Sequence, residues 1–186
     1  MTGAFDWLDD EQEELLGAYA TAAADSVIKG TGEDDTPLNG DKADNKILGK
    51  GGEDSINGKG GDDTIIGGAD NDFLRGGSGA DTFVFRSGDD QDQIADFSIK
   101  QGDGLDLRKA GFGIEDLKDR DVGGDITDHD NDGAYLRESS SNGEPEVTFY
   151  FGNDENGFDS LTITGVSIKQ LMKDIQAHPD HYDFFG

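Results

Sequence analysis

Large apolar residues are scarce in the first half of the chain, but they fall at a fixed interval: Leu38, Ile47, Ile56, Ile65, Leu74 and Phe83 each stand nine positions after the last. In the same register Asp54, Asp63, Asp72 and Asp81 stand two residues before their apolar partner, and Gly49, Gly58, Gly67 and Gly76 open each unit. The unit is G-[GK]-x-G-x-D-x-[IL]-x. One apolar position in nine cannot make an amphipathic helix, which needs three or four in two turns. It can make a tight glycine-rich turn followed by a short strand, such as Ser55-Ile56-Asn57, that points one side chain inward. Two units then complete one coil, and alternate units turn at opposite edges. This stacks Asp54 over Asp72 on one edge and Asp63 over Asp81 on the other.

Stacked strands lie about 4.8 Å apart, and two bare carboxylates at that distance repel by roughly 1 to 3 kcal/mol. A hard divalent cation reverses the sign. Calcium takes six to eight oxygens, which the carboxylates and the loop carbonyls can supply, the latter from the first and third positions: Gly49, Gly51, Gly58, Gly60, Gly67, Ala69, Gly76 and Ser78. Magnesium, with its stricter octahedral geometry, suits such a ladder less well. Composition agrees: 42 acidic against 15 basic residues give a net charge of -27, which repels nucleic acid and anionic membranes and favours a cation as partner. The apolar share of 32% is too small for a conventional core to fill most of the chain, and without cysteine neither a disulfide framework nor a Cys-based zinc site can staple it. No apolar run is long enough to insert in a membrane, and the start, MTGAFDWLDDEQEELL, is acidic where a secretory signal peptide is basic and then apolar. The expectation is a repeat that is largely disordered without calcium and folds on binding several Ca2+ ions, since six inward side chains do not offset the entropy of ordering it.

The nonapeptide resembles the calcium-binding repeat of the secreted RTX (repeats-in-toxin) family. The resemblance implies a mostly β fold: a right-handed parallel β-roll extended by antiparallel strands, with an N-terminal capping helix and a short C-terminal helix. The corresponding organisation is a helical cap over residues 1–28, the roll over 29–85 and a β-rich flanking region over 86–186. The segment FDWLDDEQEELLGAYATAAADSVI is expected to be the helix that covers the open end of the roll. Residues 79–111 are similar to the segment that closes the roll in serralysin-type proteases, through Thr82-Phe83-Val84-Phe85, Ile94-Ala95-Asp96-Phe97 and Asp103-Gly104-Leu105-Asp106-Leu107. That likeness implies Asp96 and Asp103 as further calcium ligands. VTFYFGN and SLTITGVSI alternate as antiparallel strands do, and IKQLMKDI is expected to be helical. Asp183-Phe184-Phe185 resembles the uncleaved signal of type I secretion substrates, although the final Gly186 departs from it. The resemblance thus implies an extracellular or cell-surface protein whose partners are calcium and a type I secretion apparatus.

Four units, residues 49–84, fit well and define two well-made sites, one on each edge. The unit before them, GDKADNKIL, has Asn45 at the ligand position, and the first, TGEDDTPLN, has Thr36 there; their sites are expected to be weaker, or the two units to act as an end cap. Lys50 and Lys59 replace the second-position glycine, Asp70 replaces the fourth and can add an oxygen, and Glu53, Asp62 and Asn71 form a solvated acidic edge. In DHDNDG, Asp128, Asp130 and Asp132 alternate as in an EF-hand loop, but Ser139 holds the place of the bidentate glutamate; a local calcium loop and an acidic hairpin both fit. His178-x-x-His181 has no third ligand in sequence and is expected to be a polar tail. Without a zinc-protease, serine-hydrolase or phosphate-loop motif, the chain is expected to have no catalytic activity of its own; a carboxylate-based polysaccharide activity is the minor alternative. Two further readings are a module binding an alginate-like polyanion, similar to the RTX modules of mannuronan C-5 epimerases, and a secreted protein-interaction component.

Overall fold

The nine-residue period appears in the structure as two parallel ladders. The computed structural model describes residues 26–110, 135–154 and 157–183. Strands are numbered in chain order. One sheet joins β1 (Ser26–Lys29), β3 (Asn45–Gly51), β5 (Thr64–Ala69), β7 (Thr82–Arg86), β9 (Gly104–Lys109) and β13 (Tyr182–Asp183), all parallel. The other begins with β2 (Leu38–Asn39), β4 (Ser55–Gly60), β6 (Phe73–Ser78) and β8 (Gln91–Ile94), also parallel. It continues through β12 (Gly157–Thr164), parallel to β8, into β11 (Glu144–Asp154) and β10 (Tyr135–Ser141), which return antiparallel. The chain crosses from sheet to sheet at each half-coil, as alternation of the unit requires.

Register places the periodic apolar residues in two columns: Ile28, Ile47, Ile65, Phe83, Leu105 and Tyr182 on one sheet, and Leu38, Ile56, Leu74, Ile94 and Ile163 on the other. All but the two at the exposed first coil are buried. The period ends at residue 84, yet the coil does not, because Ile94 and Leu105 continue the columns after longer turns. Ser26–Ile28, expected to end a helix, form β1 instead. Their β-branched Val27 and Ile28 suit a pleated strand, and the ladder of β3 offers pairing that a helix would forgo.

Beyond the roll, packing becomes conventional. Val147, Phe149 and Phe151 alternate inward on β11, Phe151 stacks on Phe85 at 4.8 Å between ring centroids, and Phe97 packs 6.2 Å from Phe83. Helix α1 (Ile168–Ala177) starts with a capping box: the Ser167 hydroxyl accepts from the Gln170 amide at 3.3 Å, and the Gln170 side chain accepts from the Ser167 amide at 3.0 Å. It buries Ile168, Leu171 and Ile175. The tail is tied back by Asp174, which accepts from the Tyr182 hydroxyl at 2.7 Å and lies 2.9 Å from His178 Nδ1, so that β13 extends the first sheet. Among the described residues no helix is long and apolar enough to cross a membrane. The expected N-terminal helix up to residue 25, the DHDNDG segment and Phe184-Phe185-Gly186 lie outside the described residues.

Replacing Phe85 by alanine removes a fully buried ring stacked between the roll and the antiparallel strands. In saturating calcium it is expected to cost about 3 to 5 kcal/mol in denaturant unfolding. An unchanged midpoint would show that the two parts do not share one core.

Candidate calcium ladders

Each edge of the roll is a stack of six-residue turns. One edge carries residues 30–35, 49–54 and 67–72; the other carries 40–45, 58–63 and 76–81. The sixth-position aspartates lie deep inside: Asp54, Asp63, Asp72 and Asp81 are buried. Each uses Oδ1 to accept the backbone N–H of its counterpart in the coil before it. On the first edge Asp54 N–H donates to Asp72 at 2.9 Å and Asp72 N–H to Asp92 at 2.9 Å. On the second, Asn45 N–H donates to Asp63 at 2.8 Å, Asp63 N–H to Asp81 at 2.9 Å and Asp81 N–H to Asp103 at 3.1 Å. One oxygen of every carboxylate is therefore committed to holding two coils in register.

The other oxygen is not. Oδ2 of Asp54, Asp63, Asp72 and Asp81 is buried without a hydrogen-bond partner, a costly condition for a charged acceptor. All four lie against the first-position glycine of their own turn, where a Cβ would come within 2.2 Å (Gly49), 2.1 Å (Gly58), 2.1 Å (Gly67) and 2.2 Å (Gly76) of them. At Gly49 and Gly58 the same point is 2.4 Å from the Gly67 carbonyl oxygen and 2.7 Å from that of Gly76, in the next turn of the same edge. Carboxylate and carbonyl oxygens from successive coils thus converge, and the carboxylate oxygens have no donor. This donor set fits a hard oxygen-seeking cation, and calcium there would supply the positive charge that the oxygens lack. The third-position residues instead pair along the strands, Gly51 with Ala69 and Gly60 with Ser78.

Burial pushes these acids upward, with nearby carboxylates adding to the effect and the backbone N–H bond opposing it. Asp63 rises to about 6 and Asp72 to about 7, and Asp54 and Asp81 also rise. Asp103 reaches about 6, and Asp92, beside the charge of Asp72, about 9. An acid whose pKa is raised by folding stabilises the fold below its unfolded value, here 3.8, and loses that contribution as pH rises through the folded value. Without metal the ladders therefore favour the protonated, mildly acidic condition.

The structure corrects the ligand column at both ends. Asp35, not Thr36, stands in line: its N–H donates to Asp54 Oδ1 at 2.7 Å, because this first turn holds one extra residue before Leu38 regains register with Ile56. Asp92, which the nine-residue count passes over, continues the first edge, and Asp103 closes the second. Asp103 is among the ligands expected from the sequence and Asp92 is not; both keep the aspartate-x-apolar triplet, Asp92-Gln93-Ile94 and Asp103-Gly104-Leu105, a signal that could have found Asp92. Asp96 accepts from the Gly76 and Gly77 amides at 3.0 and 3.2 Å. Asp70 has a left-handed backbone, φ 78, and accepts from the Gly52 amide at 3.1 Å. The outer edge is itself a ladder: Asp34, Asp44, Asp62 and Asn71 each accept the fifth-position N–H of the following coil on their edge at 2.8 to 3.0 Å. Asp174, His178 and His181 lie together in the tail, with ligand atoms within 4.8 Å of one another.

The fold and its ladders define a parallel β-roll built around stacked acidic turns. Residues 29–65 and 57–92 match the model of the RTX calcium-binding nonapeptide repeat, in four copies, so this stretch of the chain is an array of RTX repeats. Among solved structures it is similar to the AlgE6R2 subunit of a mannuronan C5-epimerase from Azotobacter vinelandii, at 26% identity and a TM-score of 0.61, covering 89% of this chain and 96% of that one. The AlgE6R3 subunit of the same enzyme is also similar, at 26% identity and a TM-score of 0.51, covering 87% and 86%. No curated protein matches the chain in sequence.

Two glycines separate cradle from spacer. Gly67→Ala puts a methyl on the Asp72 oxygen and is expected to raise the calcium concentration needed for folding several-fold. Gly51→Ala, whose Cβ comes no nearer than 3.9 Å to Ala69, is expected to leave it unchanged. Titration followed by circular dichroism separates them. Calcium-stripped protein is expected to hold more β structure at about pH 5 than at about pH 8, and calcium added near pH 6 is expected to release protons into weakly buffered solution.

Proposed function

We propose that the chain is an exported calcium-binding protein that folds outside the cell and has no catalytic activity of its own. The observation that carries this is the set of four buried, partnerless carboxylate oxygens, two on each edge, in a roll whose remaining interior is about one apolar side chain per half-coil. Asp54 and Asp72 on one edge, and Asp63 and Asp81 on the other, would hold the ions with the first-position carbonyls. Asp92 and Asp103 close the next gap on each edge, and Asn45 and Asp35 flank the first. Where free calcium is scarce, as in cytoplasm, the mutual repulsion of these groups keeps the repeat open; where it is abundant, the turns close. A chain of net charge -27 without cysteine suits passage unfolded through a type I secretion channel.

The test is far-ultraviolet circular dichroism of the full chain at neutral pH. The β signal is expected to be small in chelator and to rise cooperatively between micromolar and millimolar calcium. Equal spectra in both conditions would sink the reading.

A second reading, a polysaccharide-binding module, draws on the likeness to subunits of an alginate-modifying enzyme over most of the chain. Fifteen basic residues against 42 acidic ones leave little positive charge to meet a polyanion directly. Retention on immobilised alginate at millimolar calcium would favour this reading, and free passage would dismiss it.

A further inference from the structure

The first gap on each edge differs from those that follow, and the difference is a lysine. In the turns 67–72 and 76–81 the second position is glycine with a left-handed backbone, Gly68 at φ 118 and Gly77 at φ 101. In the turns 49–54 and 58–63 the same conformation is imposed on Lys50 at φ 90 and Lys59 at φ 75, which a side chain disfavours. Both side chains reach one coil back along their own edge. Lys50 Nζ donates to the Gly30 carbonyl, and Lys59 Nζ donates to the Gly40 carbonyl at 2.9 Å.

The first gaps repeat the oxygen arrangement found deeper in the stack, with the carbonyls of Gly49 and Gly58 rather than those the lysines hold. A Cβ on Gly30 would meet the Gly49 carbonyl oxygen at 2.5 Å and Asp35 Oδ2 at 2.6 Å; one on Gly40 would meet the Gly58 carbonyl oxygen at 2.3 Å and Asn45 Oδ1 at 2.5 Å. Here, however, the side-chain oxygens already have donors. Asp35 Oδ2 accepts from the Thr31 amide at 2.6 Å and hydroxyl at 3.2 Å, and Asn45 Oδ1 accepts from the Asp41 amide at 2.8 Å. The four oxygens without partners are all in later turns. The first gaps therefore offer less uncompensated negative charge, and on one edge a neutral amide replaces the carboxylate. Calcium is held by several anionic oxygens, and the first gaps supply fewer of them than the later ones.

We propose that Lys50 and Lys59, through the Gly30 and Gly40 carbonyls, clamp the first coil to the second on each edge, holding together the two coils whose gap calcium leaves empty. Calcium loading then begins in the second gap, where the partnerless oxygens are. The proposal rests on the calcium reading above but goes beyond it, since that reading is indifferent to what holds the first coil.

Native mass spectrometry of the full chain at saturating calcium counts the ions, and hydrogen exchange reports on the first coil. The wild-type chain is expected to bind about four ions, one for each partnerless oxygen. Lys50→Met and Lys59→Met are expected to bind the same number while amide exchange at Gly30 and Gly40 accelerates at least about tenfold, with β5 and β6 unaffected. Arginine at both positions, which keeps the charge, is expected to retain the protection. About six ions in the wild-type chain, or unaltered exchange in the methionine variants, would overturn the clamp while leaving calcium binding intact. A count of zero would sink calcium binding and the clamp together.

Discussion

Everything in the roll depends on a division of labour within one side chain. A stacked aspartate gives one oxygen to a backbone N–H in the coil before it and leaves the other buried and unanswered. The first bond sets the spacing of the coils and so brings like charges within a strand spacing of one another. The second oxygen makes that spacing unfavourable at neutral pH until a cation enters. A side chain able only to accept, short enough to stay inside the turn and carrying two oxygens meets both requirements. Asparagine, as at Asn45, meets neither: its Oδ1 accepts the Asp41 amide of its own turn, and only its backbone N–H reaches the next coil, at Asp63.

The two ends of the molecule are stabilised by different physics. In the roll, cohesion comes from ladders of hydrogen bonds and from ions, with a thin apolar centre one residue wide on each sheet. Past residue 84 the turns lengthen and aromatic rings appear, and β10 to β12 and α1 bury a core that needs no metal. That core covers the last coil and removes an open edge that other chains could pair with. Its Asp174 anchor draws the tail back to β9, so the final strand seals the first sheet as well.

Much of this was legible in the sequence because each half-coil repeats one local arrangement. The nine-residue interval places Ile47 to Phe83 inward and Asp54 to Asp81 in columns, and the alternation of Val147, Phe149 and Phe151 marks a strand buried on one face. The interval fails where turns change length. Asp35 is displaced by the single extra Thr36, and only its bond to Asp54, a tertiary feature, decides between neighbours. Asp92 and Asp103 keep their aspartate-x-apolar triplets but lose the spacing. The parallel joining of β12 to β8 and of β13 to β9 has no local signature at all, since those partners are brought together only by the completed fold.

Because successive nonapeptides belong to opposite sheets, the unit that stacks is the coil, not the repeat. Every ladder partner within the regular array is eighteen residues away. Removing one nonapeptide would transfer each later strand to the other sheet, turning the antiparallel strands toward the face built for β13 and exchanging the two columns of acids. Removing two would shorten the stack and leave its end undisturbed. The array is thus divisible only in pairs, and its parity is fixed by the cap on which it rests.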